Sequence, residues 1–283
     1  MSKVIKIGNL RIGGGNPCRV QGMVKRNIKD REAIKEFEEL KNCGAEIVRV
    51  AVKSIDEVDF LKRFTGRGIP IVADVHFDYR IAVESVKIGV DKIRLNPSNI
   101  TEKWKVEEIV KMAKDKNIPI RVGANIGSLK NVPKEPEERA ELLLKEVEKE
   151  IDIIQKYNFN NIVVSMKAED IKTTYIANKI FSKKYDFPLH VGLTATGEPI
   201  SGIIKSSILI GMLLNEGIGD TVRVSLTSSS TDEVKVAWEI LFSLGIREPD
   251  YEIISCPGCG RTDIVEFFKI FNEVKKIFPI KRE

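Results

Sequence analysis

IPIVADVHFDYRIAVESVKIGVDKIRLNP, residues 69–97, carries the pattern that decides the fold. An apolar, β-branched run at 70–77 is followed by a charged stretch with apolar residues at helical spacing, which stops at Gly89, and then by a second apolar run at 91–97. Strand, helix and strand with short connections make a βαβ unit, whose two strands run parallel. Outward from this unit the same alternation recurs, with strand candidates at 19–24, 46–52, 70–77, 91–97, 119–125, 161–168, 188–196 and 221–227. Helical segments are expected at 29–43, 55–64, 104–116, 136–157 and 232–244, and Gly44, Gly89 and Gly217 stand where helices stop. An open doubly wound sheet also alternates, but eight units of similar length without a domain break favour closure. The expected fold class is α/β, a (β/α)8 TIM barrel over residues 1–250, with a short C-terminal extension at 251–283 that carries a CxxC motif and a helix from 262 to about 277.

The 283 residues suit one such domain, which typically needs about 250. A composition of 42% hydrophobic and 31% charged residues excludes disordered and fibrous classes. The net charge of +5 is carried in part by lysines scattered on helical faces, such as Lys103, Lys105, Lys111, Lys114 and Lys116, a solvated pattern that disfavours nucleic acid as a partner. The N-terminus lacks the apolar core of a signal peptide and no run approaches the roughly 18 apolar residues of a membrane span, so a cytoplasmic protein is expected.

Barrel strands are buried on both faces, so a charge inside one must be paired or must face a ligand at the mouth. Arg49, Arg94, Arg121 and Arg223 fall within strand candidates, and Lys167 lies at the end of another. Any one of them could be ion-paired to a neighbour such as Asp74. Five cations from five strands, aimed at the end where barrel active sites form, point instead to a multiply charged anion, a phosphate or diphosphate. Asp74, His76, Asn96, Asn125, Ser165, His190, Thr194 and Ser225 are polar companions at about the same level. Of the two histidines, His76 beside Asp74 is the better site candidate, whereas His190 sits further from its strand end and divides evenly between site and structure. No HxH pair or carboxylate cluster marks a barrel metal site.

Cys256-Pro-Gly-Cys259 places two thiols on a tight turn, a spacing shared by zinc sites, redox dithiols and iron–sulfur clusters. Without a thioredoxin-like fold, metal ligation leads. Cys18 and Cys43 belong to the opposite end of the barrel.

Together ADVHFDYRIA (73–82), GVDKIRLNPSNI (89–100), IPIRVGANIGSL (118–129), EGIGDTVRVSLT (216–227) and ISCPGCGRTD (254–263) resemble the 4-hydroxy-3-methylbut-2-enyl diphosphate synthase family, iron–sulfur oxidoreductases of isoprene biosynthesis. The resemblance runs along nearly the whole chain. It implies reductive opening of 2-C-methyl-D-erythritol 2,4-cyclodiphosphate with a [4Fe–4S] cluster, ferredoxin or flavodoxin as electron donor, and a homodimer. It further implies that Arg49, Arg94, Arg121, Lys167, Arg223 and Ser225 hold the diphosphate, that His76, Asp74 and Asn125 serve the chemistry, and that Cys256 and Cys259 are cluster ligands. The family's third cysteine and its glutamate ligand come from a further C-terminal segment that does not occur in these 283 residues, so a cyclodiphosphate-binding chain incomplete for turnover alone is expected. Two local departures stand out: Ala195 where the family has a glutamate, and Gly22-Met23-Val24-Lys25-Arg26 where it has Ser-Met-Thr-Asn-Thr. They motivate an alternative, a divergent barrel that binds a phosphorylated ligand without redox chemistry. Two CxxC motifs pairing across a dimer into a four-cysteine metal staple, and a pterin-binding methyltransferase-type barrel on architecture alone, complete the readings.

Overall fold

The computed structural model describes residues 1–75, 78–100 and 102–277. The chain opens with an antiparallel hairpin, β1 (Ile5–Ile7) and β2 (Leu10–Ile12). It then winds through β3 (Arg19–Met23), β4 (Ile47–Val52), β5 (Ile71–Val75), β6 (Lys92–Arg94), β7 (Ile120–Asn125), β8 (Ile162–Lys167), β9 (His190–Val191) and β10 (Thr221–Val222). These eight pair in parallel in the order β8-β7-β6-β5-β4-β3-β10-β9, and a parallel bridge between Val164 and Leu189 joins the two ends. The result is the expected (β/α)8 barrel. Its outer layer is α1 (Glu32–Asn42), α2 (Tyr79–Ile88), α3 (Lys103–Asp115), α4 (Pro136–Gln155), α5 (Ile171–Lys184), α6 (Pro199–Asn215) and α7 (Ser230–Ser243), with α8 (Ile264–Ile277) beyond the ring. No described helix is long and apolar enough to cross a membrane.

Three local features depart from the pattern expected of the sequence. The segment expected as a helix at 55–64 is a tighter 3-10 stretch, Ile55–Arg63. The N-terminal hairpin is absent from the expected elements, because strands of three residues are too short to carry a periodic signal. The last two strands, expected at 188–196 and 221–227, keep only two residues each in the sheet. The ladder gives out at Gly192, whose φ of +144° and approach to the Arg223 carbonyl, 2.2 Å from where a Cβ would stand, suit glycine alone.

Strand alternation sets the two ends of the barrel apart. The hairpin residues Ile5, Ile7 and Ile12 pack on Ile47, Val72 and Val163 and plug the bottom. Two residues further along the same strands, on the same face, stand Arg49, Asp74 and Ser165. The outward face of the strands packs against the helices in a separate, larger core that includes Phe37, Phe64, Phe181 and Trp238. Backbone amides that lose the ladder near the mouth are captured by side chains from the helical element that follows. Glu36 accepts from the Lys25 and Arg26 amides (3.1 and 3.0 Å), Glu57 from Lys53 (2.8 Å), Glu150 from Gly123 (2.8 Å), Thr174 from Ala168 (2.9 Å) and Glu233 from Leu226 (2.7 Å). The bonds to the Gly123, Ala168 and Leu226 amides satisfy buried donors that would otherwise cost about 1–3 kcal/mol each.

Gly192→Ala is expected to lower the free energy of unfolding by about 2–4 kcal/mol, from left-handed strain and the collision with the Arg223 carbonyl. Urea denaturation followed by circular dichroism checks this, and an unchanged midpoint would contradict the close approach at that seam.

Candidate active site

The mouth encloses a cavity of about 250 Å³ lined by Arg49, Asp74, Arg94, Arg121, Asn125, Ser165, Lys167, Leu193, Thr194, Arg223 and Ser225. Seven of the barrel strands or the loops that follow them contribute to it, so the sequence-expected cations, drawn from across the chain, meet in one place. Asn96 is not among the lining residues, and His76 lies outside the described residues.

Among the described residues Asp74 is the one carboxylate that lines the cavity. It lies between two guanidinium groups, with Oδ2 3.5 Å from Arg49 Nε and Oδ1 3.4 Å from Arg94 Nη1. Arg49 and Arg223 converge on the sulfur of Met23, at 2.6 and 3.6 Å, and Arg223 also donates to the Ser225 hydroxyl. For Arg121, Lys167 and Arg223 no described carboxylate comes within ion-pairing distance, and Arg121 is buried with Nε and Nη1 unpartnered. A second carboxylate, Glu233, stands behind the rim, buried and bonded to the Leu226 amide and to Lys25 Nζ at 2.9 Å.

The electrostatic consequence is a set of destabilised cations. Burial pushes Arg49 down to about 10, against the restoring pull of Asp74, and Arg223 and Arg94 push in the same direction as burial. Burial also drives Lys167 well below the ordinary lysine range, helped by Arg223, Arg121 and Arg49. Arg121 is depressed by burial and then by Arg49 and Arg94. In each group burial is the largest cause of the shift.

One layer deeper lie residues that the sequence reading passed over. Lys92 is fully buried, with Nζ 3.5 Å from Gln21 Oε1, and its amine is pushed well down by burial and by Arg121 and Arg49. The available signal was parity: Lys92 precedes Arg94 by two residues and so shares its inward face. His190 belongs to this layer, not to the cavity lining. It is fully buried, its Nδ1 lies 2.8 Å from Thr221 Oγ1 while its buried Nε2 has no described hydrogen-bond partner, and burial followed by Lys167 and Arg121 lowers its pKa well below the ordinary imidazole range.

The local departures also find places. Ala195 is exposed at φ +50° in the loop after β9. Glu198 does not stand in for a carboxylate there, because both its oxygens cap α6, accepting from Ile200 N and Ser201 N at 3.2 and 3.1 Å. Cys256 and Cys259 are both exposed in the irregular segment before α8, and the Arg261 backbone and side chain lower the Cys259 thiol toward the thiolate. Among the described residues no group of three or more His, Cys, Asp or Glu side chains gathers to hold a metal, so this pair offers two donors. Cys18 is buried, with its thiol pushed upward, and Cys43 is half-buried at the end of α1.

Residues 2–238 match the GcpE TIM-barrel domain. A 4-hydroxy-3-methylbut-2-en-1-yl diphosphate synthase (flavodoxin) from Thermodesulfovibrio yellowstonii is 47% identical over 275 residues, 96% of this chain and 78% of that protein. The chain belongs to this synthase family. Proteins of the same name from Caldicellulosiruptor saccharolyticus and Symbiobacterium thermophilum are 47% and 43% identical, covering 98% and 97% of this chain and 80% and 75% of their own lengths. Among solved structures, the Yersinia pestis dihydropteroate synthase superposes with a TM-score of 0.59 at 13% identity, over 87% of this chain and 98% of that one. A type I 3-dehydroquinate dehydratase from Clostridium difficile reaches 0.59 at 18% identity, over 87% and 97%. These likenesses show a shared barrel architecture and nothing of chemistry.

An uncompensated buried cation costs folding energy, so Lys167→Met is expected to stabilise the ligand-free protein by about 1–4 kcal/mol. The pH dependence has a definite sign. The folded-state lysine titrates below its unfolded value of about 10.4, so the unfolded chain binds more protons and stability rises with pH between the two values. Thermal melts across that range check both effects; a Lys167→Met variant less stable than the parent, or one with the same pH slope, would contradict the assignment.

Proposed function

We propose that the mouth binds 2-C-methyl-D-erythritol 2,4-cyclodiphosphate and that the chain forms the substrate-holding part of its reductive opening to 4-hydroxy-3-methylbut-2-enyl diphosphate. One observation carries this reading: among the described residues, five cations and a single carboxylate line a cavity of about 250 Å³. A cyclic diphosphate has one ionisable oxygen on each phosphorus and remains a dianion across the neutral range, which suits cations that lack carboxylate partners. Arg121, Lys167 and Arg223 would take its oxygens directly, with Ser225 steadied by Arg223. Arg49 and Arg94, each held to Asp74, would fix the edge of the ring, and Asn125 would orient the carbon skeleton. With both oxygens engaged by arginines, Asp74 acts as a clamp, which leaves His76 as the candidate for handling the proton that a departing oxygen takes up.

Cys256 and Cys259 would supply two ligands to a [4Fe–4S] cluster, which delivers electrons when bound. Residues 1–250 then form the barrel unit, and 251–283 carry the two cluster thiols. Two thiols are fewer than the four ligands such a cluster takes. The relatives' names specify flavodoxin as the donor, and ferredoxin carries the same electrons; a homodimer is the expected assembly.

Titration calorimetry with the cyclodiphosphate tests the reading. Binding at one site per chain is expected, weakened about 30-fold or more in Lys167→Met or Arg121→Met, since removing one partner of a buried charge pair costs about 2–5 kcal/mol. Because the bound anion raises the depressed Lys167 pKa, binding should take up protons at pH values between the free and bound pKa, and affinity should fall as pH rises through that range. Absence of binding, or proton release, would overturn it.

A further inference from the structure

The ladder that builds the barrel is weakest where the mouth needs most accuracy. β10 pairs with β3 only through Thr221–Arg19 and Val222–Val20, and with β9 only through Thr221–His190 and Val222–Val191. Arg223 and Ser225 both lie beyond these pairs. The loops on this side are joined by other bonds. The Thr194 amide donates to the Ala168 carbonyl at 3.1 Å, tying the loop after β9 to the end of β8. The Thr196 hydroxyl donates to the Ser225 carbonyl, tying that loop to the one after β10.

Across the remaining seam, between the loops after β10 and β3, reaches Lys25. Its ammonium lies 3.0 Å from the Leu226 carbonyl, 2.7 Å from the Ser228 carbonyl and 2.9 Å from Glu233 Oε1. Three acceptors match the three protons that a lysine ammonium can donate. The backbone of Lys25 is itself fixed through Glu36, and Glu233 is buried and also holds the Leu226 amide. A side chain anchored at both ends is a strut.

We propose that Lys25 is a positioning residue: its ammonium takes the place of the missing β3–β10 ladder and sets the separation between Arg49 on one side of the seam and Arg223 with Ser225 on the other. The inference rests on the cyclodiphosphate reading of the mouth. Lys25 does not line the cavity, so its effect on binding passes through the two loops. The convergence of Arg49 and Arg223 on Met23 shows how closely the two sides are set.

Calorimetric titration of cyclodiphosphate into the full chain, Lys25→Met, Lys25→Arg and Glu233→Gln, at about 0.1 M and about 1 M salt, tests this. A positioning role predicts affinity about tenfold lower for Lys25→Met at both salts, and a loss within about threefold for Lys25→Arg, which can still reach the acceptors. A ratio of Lys25→Met to parent that collapses toward one at high salt, where the Debye length falls from about 10 to about 3 Å, would mean that Lys25 acts as a charge and would overturn the proposal. Equal affinities at low salt would do the same. Should Lys25→Met fail to fold by circular dichroism, Glu233→Gln takes its place, with a loss of about threefold or more expected and none overturning the idea. If the parent chain itself does not bind, the reading of the mouth fails, an outcome distinct from a parent that binds while the variants match it.

Discussion

Five positive charges share the barrel mouth with Asp74 as the one described carboxylate lining it, and their mutual repulsion is the constraint around which the rest of the molecule is arranged. Coulomb energy between such groups grows as water is excluded, so the charges stay together only because a large apolar structure holds their backbones in place. The hairpin plug below and the helix-facing core outside supply that rigidity. Buried carboxylates at Glu36, Glu57, Glu150 and Glu233 pin the backbone near the mouth from the helical side. Three of the charges have no described carboxylate within ion-pairing distance, so the proposed anion would meet charges already gathered at the expense of the ligand-free fold.

Within the barrel interior the chemistry is graded along the axis. Apolar side chains fill the bottom, buried polar groups such as His190, Gln21 and Lys92 occupy the middle, and arginines crown the top. The middle layer separates the charged rim from hydrocarbon while remaining able to hydrogen-bond. Depressed pKa values in both upper layers follow from the same cause, burial among like charges. Binding of a dianion would relieve that stress in the mouth first.

Much of this was legible in the sequence. The alternation of apolar runs and amphipathic stretches marked all eight barrel strands, and cations inside apolar runs marked Arg49, Arg94, Arg121, Lys167 and Arg223, all of which line one cavity. Lys92 was missed although its spacing from Arg94 announced a shared face, because attention to strand ends overlooks the layer beneath. The shortness of β9 and β10 could not be read from composition, since residues 188–196 and 221–227 are as apolar as true strands, and at β9 the Gly192 backbone turns the chain away.

By itself the sequence determined the barrel and the set of cations that one mouth gathers, from which the anionic ligand is proposed. These follow from local periodicity and from the cost of burying a charge, both of which are written residue by residue. Only the tertiary structure decided which cations pair with a described carboxylate, that His190 is buried beneath the mouth, and that Lys25 bridges the seam beside Glu233. Those facts depend on contacts between residues up to about two hundred positions apart, such as Lys25 and Leu226 at 201, and no local pattern encodes where such partners meet.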